Sequence, residues 1–381
     1  MSCINLTDQG IDPNAGKPVG AALNALFNGS RREWYLPSGE YLVEETLRLP
    51  SGTRLRLAPD ACLRLADGAA KTKDDYLLTN ADPIGGDRDI EIEGGVFDGN
   101  QKGNPRPEGL MTVGYTGAML HFRNVRGLRL SKAVFRNAEA YYSRYTHVHD
   151  FHIEDIGFDS DLVRNNNDGI HLGGNCSNGV IRKLRALRPG VPNDDLVAVN
   201  ADDALERNEV RGMTDGDIQD LLIEDLEAHS CHSFVRLLCV RSSIRRVTIR
   251  GIRGGCQVAA FNADGARGCR VPVFDEADPP FPDGVGLLED ILAEDIAVHK
   301  TRDAKTALVD LQERVKNFRI RGFRRALEAD QAPSTPTLRL KHFVLENGRL
   351  NGASIGRLNL LAPNPAFEAS PETLELELNP T

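Results

Sequence analysis

Apolar residues along this chain seldom sustain a three-to-four-residue period over the length of a helix. They come instead as short runs of Val, Ile, Leu and Phe, broken by single charged residues and bounded by Gly, Asn or Asp. That alternation predicts half-buried strands rather than amphipathic helices. Within it one pattern returns: an apolar residue, two polar or small residues, and a second apolar residue. It reads Ile153-Glu-Asp-Ile156, Ile181-Arg-Lys-Leu184, Ile223-Glu-Asp-Leu226, Ile249-Arg-Gly-Ile252, Ala293-Glu-Asp-Ile296 and Ile320-Arg-Gly-Phe323, with weaker copies starting at Ile92 and Leu130. Four of the intervals between successive copies are 23–28 residues, and the longer ones read as the same unit carrying an insertion.

A unit of that length is too long for one strand of a hairpin and lacks the second hydrophobic face of a helical repeat. Short strands joined by turns and coiling once per unit satisfy it, because stacked coils pair in parallel and pool their inward residues into one core. A β-sandwich would instead show strands every 8–12 residues with hairpin signals. The expected fold is therefore all-β, a single-stranded right-handed parallel β-helix running through residues 1–381 as one domain. Residues 12–28 read as a short N-terminal capping helix, with strands beginning near Trp34. Residues 200–217 and 263–285 read as insertions on one side of the coil. Residues 332–381 read as terminal coils or a returning segment.

Composition narrows the partners. The chain has 381 residues, 40% hydrophobic and 27% charged, enough for a substantial core. A net charge of −9 argues against a nucleic-acid partner, although local arginines on an acidic protein can still bind an acidic sugar. No run approaches eighteen apolar residues, so no membrane helix is expected. The first residues lack the basic and apolar regions of a signal peptide, which points to the cytoplasm unless an upstream signal was trimmed. Seven scattered cysteines without a Cys-x-x-Cys pair read as free thiols. Nothing in these patterns fixes an oligomeric state.

The repeat also aligns the coils. Positions 13–15 beyond each first residue should share one side wall. There the chain offers Arg144, then Asn166, Asn167 and Asp168, then Asp194 and Asp195, then Arg236, then Asn262. Parallel strands lie about 4.8 Å apart, so Asp168 should stand one coil from Asp194 and Asp195. Carboxylates that close cannot all ionise without cost, and a protonated acid beside a carboxylate is what glycosidic hydrolysis requires. A solvated acidic ladder or a cation site would show the same residues. Arg144 and Arg236 flank the acids, to bind sugar or to neutralise them. His171 follows Asp168 by three, as a sugar contact or a structural hydrogen bond. Asn200, Asp202 and Asp203 read as loop caps or calcium ligands, with Asn200 also counted as a substrate contact. Tyr141, Tyr142 and Tyr145 could stack on a sugar or fill the core. No cofactor and no resident metal are expected.

At these residues the sequence resembles the polygalacturonase family, the family 28 glycoside hydrolases, within the pectate-lyase-like β-helix superfamily. Asn166-Asn167-Asp168-Gly169 is similar to that family's Asn-Thr-Asp-Gly motif, and Asp194-Asp195-Leu196-Val197-Ala198 to its Asp-Asp-Cys-Ile-Ala motif. Gly95-Val96-Phe97-Asp98-Gly99 is similar to an upstream Gly-x-Ile-Asp-Gly strand. The resemblance spans roughly residues 10–325. It implies an inverting glycosidase in which Asp194 is the general acid and Asp168 and Asp195 position and deprotonate water. The family's Gly-His-Gly and Arg-Ile-Lys motifs are absent. His232 and Arg236 are the nearest substitutes and join the expected substrate contacts. The reading is a glycoside hydrolase on an oligo- or polysaccharide. The alternatives are a lyase or uronate epimerase using His171, His232 or Arg236 as base, and a non-catalytic carbohydrate-binding β-helix.

Overall fold

The structure is a computed structural model. It describes residues 3–13, 16–28, 33–72, 74–106, 117–203, 214–263, 286–341, 349–350, 353–354, 357–370 and 374–378. The chain is a right-handed parallel β-helix of three sheet faces, closed at its N-terminal end by one short α-helix. Its register follows the repeat. Leu130 pairs with Ile92 and with Ile153, and the series continues through Ile181, Ile223, Ile249, Ala293 and Ile320. Every first residue of the recurring pattern thus stacks on the next, and upstream Leu55 and Trp34 extend the same row.

That row forms the first sheet. The pattern's internal polar pair makes the corner to the second. Its third position is left-handed in coil after coil: Lys132, Asp155, Lys183, Asp225, Gly251, Asp295 and Gly322 all have φ between 54° and 70°. Asn, Asp and Gly tolerate that conformation best, which is why the corner holds small or polar residues between two buried ones. The second sheet contributes an aromatic row inside the coil, Phe97, Phe135 and Phe158, edge-to-face at 5.7 and 5.9 Å. The third sheet buries Leu47, Leu78, Leu120, Ser143, Ile170, Val197, Val235, Phe261, Val309 and Leu338 in register.

The structure makes the two ends specific. The capping helix, α1, spans Gly20–Phe27 rather than 12–28. Pro18 and the preceding turn delay it. Its first amides are capped from afar, Glu44 accepting from the Gly20 and Ala21 amides at 2.7 and 3.1 Å. At the other end the chain does both things the sequence allowed. Leu338–Lys341 adds a parallel strand to the third sheet, and then Arg357–Leu360 and Pro365–Ala369 return antiparallel against the last coil. Of the two expected insertions, residues 204–213 and 264–285 lie outside the described residues. Among the described residues no helix is long and apolar enough to cross a membrane. The six cysteines among the described residues are free thiols, all buried except Cys3.

Candidate functional site

Residues adjacent to the third sheet's buried row point outward and form a polar column. It runs Arg48, Thr79, His121, Arg144, His171, Ala198, Arg236, Asn262, Asp310, Arg339, one residue per coil. Arg144, Arg236 and Asn262 share this column, as their offsets predict. His171 stands where the offset count placed Asp168. The carboxylates sit slightly earlier, where each coil enters the strand, because the turns before the strands differ in length.

Asp168 occupies a tightly specified turn. Asn166 is left-handed at φ 58°, and the Asn167 amide donates to the carbonyls of Ala138 (3.1 Å) and Ala140. A Cβ on Gly169 would lie 2.6 Å from the Leu196 carbonyl oxygen, so only glycine lets the neighbouring coil approach there. This turn delivers Asp168 into a buried position one coil from Asp195, whose backbone amide donates to Asp168 Oδ1 at 3.1 Å. Asp195 is itself buried, and Asp194 beside it is part-exposed. His232 reaches in from the following coil, its Nδ1 3.6 Å from Asp194 Oδ1. It is presented beside an irregularity in the pairing between the third-sheet strands around Cys231 and Ser233, where bulges commonly re-aim side chains.

His171 is fully buried with both ring nitrogens engaged. Nδ1 lies 2.6 Å from Asp168 Oδ2 and Nε2 lies 2.7 Å from Asp203 Oδ2. Tyr141 stacks on the ring at 4.3 Å and 13°. Burial alone would push the imidazole down. The Asp203 charge and the hydrogen bonds to Asp168 and Asp203 outweigh it, and the pKa is raised. His121, two coils back, shows the reverse. Burial first, then Arg144, Arg123 and His171, push it well below the ordinary histidine value, so it is neutral beside Arg144. Arg144 is fully buried, with Nη2 3.5 Å from His121 Nδ1, and Arg236 is half-buried.

The loop after Asn200 divides its acids. Asp202 is a loop cap, its Oδ2 accepting the amides of Val240, Arg241 and Ser242 at 2.5, 2.7 and 2.8 Å. Asp203 turns to His171, and buried Asn200 donates to its other oxygen at 3.5 Å. Most of the acidic loop read as a calcium candidate, 204–213, lies outside the described residues. Among the described residues one set could hold a metal. Asp194, Asp195 and His232 each offer a donor atom, all within 4.8 Å of one another. Tyr142 and Tyr145 are core residues, the first donating to the Asp159 carbonyl and the second stacked on Phe122. A cavity of about 640 Å³ opens upstream along the same face, between α1 and residues Glu44, Arg48, Lys71 and Tyr76. Tyr76 packs edge-on against His121 at 4.9 Å, so the cavity adjoins the polar column.

No protein-family model matches the chain, and no curated protein matches it in sequence. Solved structures do share its fold. An iota-carrageenase complexed with iota-carrageenan fragments is 14% identical, with a TM-score of 0.60 over 81% of this chain and 74% of that one. The family 28 exopolygalacturonase of Yersinia enterocolitica is also 14% identical, with a TM-score of 0.56 over 85% and 71%. PfbA, a surface adhesin of Streptococcus pneumoniae, is 10% identical and aligns over 99% of both chains at 0.53. At these identities the likeness is one of fold.

Proposed function

We propose that the protein is a glycoside hydrolase acting on an oligo- or polysaccharide laid across the outer face of the third sheet. The observation that carries this is the clustering of Asp168, Asp194 and Asp195 on adjacent coils, with His232 against Asp194. Asp194 is the most accessible of the three and suits the general acid. His232 can tune its proton and hand it on. Asp195, buried beside it, suits the carboxylate that activates water or meets the sugar directly. The β-helix glycosidases among the structural neighbours support the reading at the level of scaffold. Arg236, Asn262 and the upstream cavity offer contacts for a chain longer than the two sugars at the bond.

The donor atoms of Asp194 and Asp195 lie within 4.8 Å. Inverting pairs usually stand about 6.5–9.5 Å apart and retaining pairs about 5–5.5 Å. An inverting course therefore needs water held on the Asp168 side of the pair, and product stereochemistry decides the matter. The lyase reading loses one of its bases, because neither ring nitrogen of His171 is free to abstract a proton. A binding-only β-helix is favoured by one observation: both oxygens of Asp168 are already engaged.

The test is turnover on a panel of neutral, uronic and sulfated glycans, with the first-formed anomer read by NMR. Asp194→Asn should lose at least a hundredfold in kcat, the scale of a positioned general acid, with an unchanged melting temperature. A folded Asp194→Asn protein with full activity would sink the acid assignment. Binding without turnover in the wild-type chain would leave the binding-only reading.

A further inference from the structure

Asp203 lies outside the carboxylates assigned to the reaction, yet it closes a chain that reaches them. The links run from Asp203 Oδ2 to His171 Nε2 at 2.7 Å and from His171 Nδ1 to Asp168 Oδ2 at 2.6 Å. From there Asp168 Oδ1 accepts the Asp195 amide at 3.1 Å. All four residues are buried. A neutral imidazole has one N–H and one lone pair. Between two carboxylates, that lone pair would face an acceptor at hydrogen-bonding distance, which is repulsive. The three groups therefore hold one further proton, and two carboxylates in direct contact with the two ring nitrogens place it on the ring.

We propose that Asp203 is a positioning residue: through a doubly hydrogen-bonded His171 it fixes Asp168, and Asp168 in turn fixes the backbone that presents Asp194 and Asp195. Among the described residues the ring has charged and titratable neighbours on both sides. Asp168 comes from the turn before its strand and Asp203 from the loop after the next strand. Arg144 is its register partner one coil back, with His121 beyond it, and Tyr141 covers the ring face. Ala198, its partner on the other side, carries no charge. Arg144 opposes a proton on the ring, and the two carboxylates held in direct contact outweigh it. Both Asp168 oxygens are already engaged, one by the His171 ring and one by the Asp195 amide. The duty of deprotonating water therefore falls to Asp195, and Asp168 acts by orientation. This consequence for rate rests on the glycosidase reading, whereas the proton held by His171 does not.

The experiment uses the full chain. In the wild type, ring ¹⁵N NMR at the ordinary histidine value, pH about 6.5, should find both His171 nitrogens predominantly protonated. A neutral ring there overturns the proposal, whatever any variant does. Asp203→Asn keeps the shape and removes the charge. It should return His171 to a single ring proton at that pH, lower kcat about ten- to a hundredfold with little change in KM, and move the alkaline limb of the pH–rate profile to lower pH. Unchanged ring protonation, kcat and pH profile in a folded Asp203→Asn protein would overturn it as well. Should that variant fail to fold, the wild-type titration alone decides. A doubly protonated His171 in a protein that cleaves no glycan would support the lock while overturning the glycosidase reading.

Discussion

Buried charge can be held by polar atoms that answer it locally, and Arg325 shows it outside the candidate site. Its guanidinium and the Asp330 carboxylate are both fully buried. Arg325 donates to both Asp330 oxygens (2.8 and 3.0 Å) and to the carbonyls of Thr335 and Ala332 at 2.7 and 2.5 Å. Burial alone would raise the Asp330 pKa. The Arg325 hydrogen bonds and the amides of Lys300 and Ala332 outweigh it and hold the carboxyl below its ordinary value. A depressed carboxylate contributes stability above its unfolded pKa and loses it as pH falls through the folded one, so this corner loosens in acid. Arg325→Met should cost about 3–5 kcal/mol, since it strands a buried carboxylate. Arg325→Met with Asp330→Leu should cost less than the two single changes added, in a thermal or urea double-mutant cycle. Additive costs would mean that the pair is not coupled. The same logic separates Asp203 from Asp202. Both sit in an acidic stretch of sequence, and only the structure shows that one caps amides and the other holds an imidazole.

At the level of elements, the corner between the first two sheets explains why the repeat is legible at all. A buried residue must precede and follow it, and a left-handed residue must stand inside it, so the pattern returns wherever a coil turns. Charge alternates along the same edge. Glu93, Glu154, Arg182, Glu224 and Arg250 lie in register rows, with Arg250 2.6 Å from Glu224 and Arg182 bonded to Glu154. These exposed pairs contribute little singly, so the corner's backbone should dominate. At Gly322 (φ 57°) a Cβ would come no closer than 3.5 Å to the Asp295 backbone, an ordinary contact. Gly322→Asn should therefore be near neutral, whereas Gly322→Val should cost about 1–2 kcal/mol from the left-handed conformation alone. Equal melting temperatures for the two variants would refute the corner argument. Strand register was readable in sequence because burial repeats once per coil. Loop length does not repeat, which is why counting offsets found the column of Arg144, Arg236 and Asn262 but put Asp168 where His171 stands. The His171–Asp203 contact was invisible for the same reason: its partners are 32 residues apart across a turn of arbitrary length.

For the molecule as a whole, the problem is the last coil. A stack of parallel coils must end on open strand edges, and open edges template pairing with other chains. Here the chain folds back on itself. Arg357–Leu360 pairs antiparallel with the third-sheet strand Leu338–Lys341, and Pro365–Ala369 pairs antiparallel with the first-sheet residues Phe318, Arg319 and Ile320. Phe367 is buried and meets Phe318 edge-on at 6.0 Å, and Leu374–Leu378 adds an outer strand. The reversal of direction matters, because an antiparallel strand covers the edge without offering the register that another coil would need. Removing residues 357–381 should bare Phe318, Ile320, Leu338 and Leu340 together with their backbone edges. The shortened chain should then elute from size exclusion as a larger species than the full chain at equal concentration. Phe367→Lys, which keeps every residue but one, should lower the melting temperature and raise light scattering in the same direction. If both proteins behave as the full chain does, the returning strands are not what closes the stack, and the coil edge must be protected by its own twist and charge.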